Sequence, residues 1–241
     1  MSHLDKMNRL ITFGKYKNQT YNYVIRNIPS YCEYVIKEKS KFKPFIDFQN
    51  YLINNYHLYK TCSSDKIVLD IETDKYFNIL QIAYNAYDNN NSLLYSKDFY
   101  VYDGVHSTPF YPTISEKDII EKGLSLKDTS DIVTTDINNT NIIIGHNIKK
   151  FDLFHINKLN EKFNNKIKDD LIIHDTMTES MDVVKALNKS GKIKYPNLGE
   201  MLEFLCNKKV ENYHNAHGDI MATFECYKIL CEKYNKFSHV Q

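Results

Sequence analysis

The chain has 241 residues, 42% of them hydrophobic and 25% charged, with a formal net charge of +1. That length buries one sizeable core with room for a small extra module, and the composition is ordinary for a soluble globular protein. No apolar run approaches the length of a membrane span, and the polar start Met1-Ser2-His3-Leu4-Asp5-Lys6 is no signal peptide.

Five cysteines (Cys32, Cys62, Cys206, Cys226 and Cys231) are odd in number and form no Cys-x-x-Cys pair. This is expected of reduced thiols in an intracellular compartment, cytoplasm or nucleus. Charge is unevenly spread: residues 1–60 hold ten Lys/Arg against four Asp/Glu, and residues 61–241 hold twenty-one against twenty-six. A basic front and an acidic remainder suit a phosphate-binding module joined to a carboxylate-rich site. A solvated imbalance with no partner is the plainer alternative. The richness in Asn, Lys, Ile and Tyr reflects an AT-rich coding source, a virus among the candidates.

In chain order, residues 11–13 are predicted as a short strand, and Gly14 begins a turn rich in Lys and Asn. Helices are predicted over 20–27, over 29–37, where Pro29 and Ser30 mark the start, and over 45–55. Residues 1–60 thus form a small α+β module, and 61–65 a polar linker. Strands follow over 66–73, 79–87 and 93–102, with Asp88-Asn89-Asn90-Asn91 as a turn between the last two. Residues 103–140 yield only one helix, over 115–121. A strand over 141–145, a helix over 150–163 and a strand over 171–175 come next. Helices are then predicted over 176–187, 197–206 and 215–234. The expected fold of residues 66–236 is α/β: a mixed sheet with an antiparallel start and flanking helices.

Two carboxylates interrupt the apolar run Lys66-Ile67-Val68-Leu69-Asp70-Ile71-Glu72-Thr73. Side chains two apart on a strand share a face, so Asp70 and Glu72 project together, opposite Ile67, Leu69 and Ile71. Like charges held close repel and resist desolvation, and a divalent cation between them is the cheapest remedy. Alone, such a pair is more often a solvated strand end.

Two further carboxylates open apolar helical stripes. Asp152 shares a face with Ile156, Leu159 and Phe163, and Asp219 with Ala222, Thr223, Cys226 and Leu230. Each by itself is equally a partner for the helix dipole. His214 precedes the last helix and reaches over the same pocket.

Together these residues carry a resemblance. Asp70-Ile71-Glu72-Thr73, Asn147 with Phe151-Asp152, and His214 with Asp219 resemble the three motifs of the proofreading-type 3′→5′ exonucleases. These form the DEDD superfamily of ribonuclease H-like fold, here its histidine-bearing DEDDh subclass. Ile79-Leu80-Gln81-Ile82, Asp175-Thr176 and Tyr195-Pro196-Asn197-Leu198 extend the likeness over roughly residues 66–234. Ile71 stands where the family often has Thr, the glycine that often follows the first motif is absent, and Asn147 and Phe151 are one residue further apart than in many bacterial members.

The resemblance implies hydrolysis of DNA from its 3′ end to nucleoside 5′-monophosphates, with an exoribonuclease or a catalytically weak nucleic-acid-binding protein as alternatives. Two Mg²⁺ or Mn²⁺ ions are implied, held by Asp70, Glu72, Asp152 and Asp219. His214 is the implied general base, with His146 and His217 as rivals. Thr73, Leu80 and Asn147 are implied substrate contacts. Many relatives of this type dimerise, and the resemblance implies a homodimer or a polymerase or repair partner as options here.

Phe13-Gly14-Lys15-Tyr16-Lys17, Thr20-Tyr21 and Pro29-Ser30-Tyr31-Cys32-Glu33-Tyr34 resemble the accessory module of exodeoxyribonuclease X-like nucleases, where it is usually C-terminal. Lysines interleaved with aromatics suit single-stranded nucleic acid, with Lys15, Lys17 and Arg26 as expected contacts. A mini-core in which the same aromatics merely pack is the alternative.

Overall fold

A computed structural model describes residues 6–104, 114–209 and 216–237. The front of the chain contains the helices α1 (Tyr21–Asn27), α2 (Pro29–Lys37) and α3 (Lys43–Asn55) and a 3-10 turn (Tyr56–Tyr59). Thr20 caps α1 by accepting the Tyr23 N–H, and Pro29 opens α2 with the fixed φ that suits a first helical position. Residues 11–13 make no strand. Their place is taken by a single bridge, Leu10 to Thr20, that closes the turn around Gly14. These helices enclose their own apolar cluster, in which Met7, Val24, Cys32, Val35, Phe48 and Leu52 have no exposure.

Among the described residues, the rest is built on one six-stranded sheet. Its strands are β1 (Ser64–Thr73), β2 (Ile79–Tyr87), β3 (Leu93–Tyr102), β4 (Leu124–Ser125), β5 (Thr140–Gly145) and β6 (Ile172–Asp175), in the order β4-β3-β2-β1-β5-β6. The β1–β2 and β2–β3 pairs are antiparallel; β5 and β6 add in parallel. Helices α4 (Glu116–Lys122), α5 (Leu126–Asn138), α6 (Asp152–Glu161), α7 (Thr176–Glu179), α8 (Met181–Val184), α9 (Leu198–Cys206) and α10 (Ala216–Tyr234) complete it. The mixed α/β sheet with an antiparallel start and flanking helices is the fold expected from the sequence.

Every residue of β2 is buried, because both faces of the sheet are covered. On one face Ile67, Leu69 and Ile71 pack with Ile132, Val133 and Ile137 of α5 and with Leu153, Ile156 and Leu159 of α6. On the other, Val68, Ala83, Ile142 and Ile144 meet Ala216, Ile220, Phe224 and Tyr227 of α10. Each buried Val, Leu, Ile or Phe among them contributes about 1.5–3 kcal/mol by leaving water. The two faces therefore clamp β1 between α6 and α10, the helices that carry Asp152 and Asp219.

Helix α5 escaped the sequence reading because its buried side includes Asp128, Thr129, Ser130, Thr134 and Asp136. Those groups are used. The Arg26 guanidinium pairs with Asp128 and, at 2.8 Å, with Asp131. Lys97 Nζ lies 2.6 Å from Asp136, which also accepts the Tyr84 hydroxyl at 2.5 Å. Arg26 was expected to hold phosphate; in the structure it instead joins the front helices to the sheet's helical cover, over the ring of Tyr59. The stretch over 176–187 also differs: it breaks at Ser180 into α7 and α8 and ends on Lys185 in a left-handed conformation.

Arg26→Glu places a third carboxylate beside Asp128 and Asp131. The expected outcome is a lower Tm and rapid proteolysis at the exposed residues 61–63, read by limited digestion.

Candidate active site

β1 outruns its parallel neighbour. Pairing with β5 ends at Val68–Ile144, while pairing with β2 continues and then shifts register between Glu72 and Thr73. The last turn of β1 thus opens into a cleft of about 400 Å³. Asp70, Glu72, Thr73, Asn147, Asp152 and Asp219 all line it.

Asp70 and Glu72 share a face of β1, and Asp219 faces them from the first turn of α10. One carboxylate oxygen from each of the three lies within 4.8 Å of the other two. Asp152 closes the cleft from the first turn of α6. Its Oδ1 accepts the Ile71 N–H at 3.0 Å, a backbone donor beyond the reach of β5.

This crowding is electrostatically costly. Burial, then Asp152, Asp219 and Glu72, push the Asp70 carboxyl well above its ordinary range. Burial and then Asp219 raise Glu72 to about 7. Burial raises Asp152 to about 8, against the lowering effect of the Ile71 N–H, with Asp175 and Glu72 adding to the rise. Three hard oxygen donors converging with surplus negative charge fit Mg²⁺ or Mn²⁺.

The loop before α6 is held by a buried carboxylate that the sequence reading left without a role. Asp175 accepts the N–H groups of Asn147 (3.0 Å), Lys149 (3.3 Å) and Met177 (3.1 Å). This fixes Asn147 at φ +65°, which asparagine tolerates. Gly145 is required just before it, since a Cβ there would lie 2.7 Å from the Ile148 side chain.

His146 is anchored rather than presented. Its Nδ1 lies 3.2 Å from Thr176 Oγ1 and its Nε2 3.1 Å from the Pro196 carbonyl. Burial pushes the ring down to about 4, so it is neutral, with the Nε2–H donating to Pro196. His217 is exposed on the first turn of α10. His214 lies outside the described residues.

An aromatic wall completes the cleft and was not anticipated. The Asp74 carboxylate accepts the N–H groups of Tyr76 and Asn78 (both 2.8 Å) and the Asn78 side chain (2.9 Å). That turn forces Phe77 to φ +66°, rare for a bulky residue, and leaves the residue 60% exposed. Phe77 lies parallel to His155 at 5.7 Å, and Phe151 meets the same imidazole edge-on at 4.9 Å. The visible signal was Tyr76-Phe77, two aromatics in a turn.

The remaining expected contacts lie elsewhere. Leu80 packs with Ile114 and Ile119 and does not line the cleft. Lys15 and Lys17 are exposed on the front turn. A larger cleft of about 620 Å³ separates α3 from β3, but two of its acids, Asp47 and Asp98, are engaged by Arg9 and Gln81.

Among solved structures, E. coli Exonuclease I in complex with an oligonucleotide superposes with a TM-score of 0.53 at 17% identity, over 70% of this chain and 40% of that one. The chain has a ribonuclease H-like fold. The Saccharomyces cerevisiae Pan2 pseudoubiquitin hydrolase-RNA exonuclease module, in complex with AAUUAA RNA, gives 0.51 at 16% identity, over 75% and 31%. The chain therefore spans less than half the length of either neighbour. No protein-family model and no curated protein matches it by sequence.

A carboxylate whose pKa is raised on folding favours the native state while protonated. Metal-free stability is therefore lost as pH climbs through the raised values of Glu72 and Asp152. His146 and His174, both held near 4, oppose this only below their unfolded pKa of about 6.5. Between about pH 6.5 and 8.5, the Tm of metal-free protein is expected to fall and the rise on adding Mg²⁺ to grow. At a hundredfold excess over Kd that rise is roughly 5–10 °C. Asp70→Asn is expected to raise the metal-free Tm at pH 8.5 and to abolish the Mg²⁺ response, both read by differential scanning fluorimetry.

Proposed function

We propose that the protein is a divalent-metal-dependent 3′→5′ exonuclease that shortens DNA to nucleoside 5′-monophosphates. The observation that carries this reading is the convergence of Asp70, Glu72 and Asp219 within 4.8 Å, in a cleft that also contains Asp152. Asp70, Glu72 and Asp219 would hold one cation, and Asp70 with Asp152 a second. Bound there, the ions would supply Lewis-acid stabilisation for an in-line displacement at phosphorus.

The chain's own residues supply the rest. His214 would take the proton of the attacking water as general base. His146 is unsuited to that task, since both of its ring nitrogens are engaged. The exposed face of Phe77 offers a platform for a terminal base, and Thr73 and Asn147 polar contacts to the same nucleotide. Lys75, lining the cleft, and the exposed Lys149 and Lys150, which follow Asn147 in sequence, would meet the phosphates. DNA is favoured because the front module resembles that of exodeoxyribonuclease X-like enzymes.

Digestion of 5′-labelled single-stranded DNA and RNA of equal sequence, with Mg²⁺ or Mn²⁺, tests the proposal. The expected outcome is a ladder that shortens from the 3′ end, faster on DNA, and at least about a thousandfold weaker in Asp70→Asn. Faster RNA digestion would reassign the substrate. Binding of either strand with no ladder would replace the enzyme by a binding protein.

A further inference from the structure

The front helices carry more aromatic surface than their core needs. Tyr16 and Tyr31 are half-buried against that core, whereas Tyr34 is 52% and Phe42 54% exposed beyond it. The rings are ordered in relation to one another. Tyr16 meets Tyr31 edge-on at 4.6 Å, and Tyr31 stacks with Tyr34 at 6.1 Å. The Gly14 turn lies directly against this row, since a Cβ at Gly14 would come within 3.3 Å of the Tyr31 hydroxyl. Phe13, beside Gly14, contacts Phe42 at 6.0 Å, which brings the 38–43 segment to the same side.

Lysines surround the rings. Lys15 lies over the Tyr16 ring at 5.5 Å, and Lys17, Lys41 and Lys43 are exposed beside it in sequence or across the Phe13–Phe42 contact. Among the described residues none of these four is in an ion pair. Of the acids nearby, Asp47 is committed to Arg9 and Glu33 to Lys60, and Glu38 is outnumbered on its own segment by Lys39, Lys41 and Lys43. A face of lysines outside ion pairs, with exposed rings at Tyr34 and Phe42, complements a polyanion whose bases are free to stack.

We infer that Tyr16, Tyr31, Tyr34 and Phe42, with Lys15, Lys17, Lys41 and Lys43, form a binding surface for single-stranded nucleic acid outside the catalytic cleft. Stacking on the row is indifferent to base identity, and the lysines follow the backbone as point charges. Arg26 takes no part, because its guanidinium is spent on Asp128 and Asp131. The surface deepens the nuclease reading by giving it a second hold on the strand, but its test needs no catalysis.

The test is fluorescence anisotropy of the full chain with a fluorescein-labelled oligothymidylate of about 20 nucleotides, in EDTA, from about 50 to 300 mM KCl. Charge reversal in Lys15→Glu/Lys17→Glu is expected to weaken binding at least tenfold and to flatten the log–log salt slope by about 1.4. Tyr34→Ala is expected to weaken binding about fivefold or more with the slope unchanged. Unchanged affinity and slope in both variants would overturn the inference. So would equally tight binding of polyglutamate that the same variants lose, which would assign the surface to an acidic protein. A protein that digests nothing would sink the nuclease reading and leave this result standing.

Discussion

Like-charge repulsion at the end of β1 is the constraint around which the molecule is arranged. Asp70, Glu72, Asp152 and Asp219 face one cleft from three separate elements, and each neighbour raises the cost of ionising the others. The fold holds them there by force of packing. Ile220 and Phe224 seat α10 on Val68 and Ala83, while Ile156 and Leu159 seat α6 on the opposite face. Backbone donors then tune the arrangement: the Ile71 N–H steadies Asp152, and Asp175 ties down the loop that leads to it. Protons neutralise such a cluster at lower pH, and on the proposed reading divalent cations take over that task above neutrality.

The same economy governs the cover of the sheet. Helix α5 buries charge and hydroxyls because it has partners for them: Arg26 from the front helices and Lys97 from β3. Removing one member of such a pair leaves an unbalanced charge in a low dielectric, which costs more than the pair is worth. Docking of the front helices is therefore electrostatic at Arg26 and apolar at Leu58 and Tyr59, which pack into the sheet's core.

Much of this was legible in the sequence, and the exceptions have physical causes. Alternation along Lys66–Thr73 revealed the carboxylate face, since a strand's period of two leaves no other arrangement. The stripes behind Asp152 and Asp219 marked core-facing helices. Helix α5 was hidden because its buried side is largely polar, so the hydrophobic period that identifies a helix is weakened. The task of Arg26 depends on carboxylates 102 and 105 residues further along, a distance no local pattern spans. Leu80 packs away from the cleft while its neighbour Gln81, opposite Glu72, hydrogen-bonds Asp98. The Phe77 platform arises from a left-handed turn made by Asp74, which composition alone does not disclose.

Whether the acidic cluster holds a divalent cation is most directly measured by titrating the metal-free protein with Mn²⁺ at about pH 8 and following free Mn²⁺ by electron paramagnetic resonance, beside Asp70→Asn. The expected result is saturable binding by the wild-type chain that disappears in the variant, with an unchanged circular dichroism spectrum. Equal Mn²⁺ binding by both proteins, or none by the wild type, would contradict a metal centre at Asp70, Glu72 and Asp219.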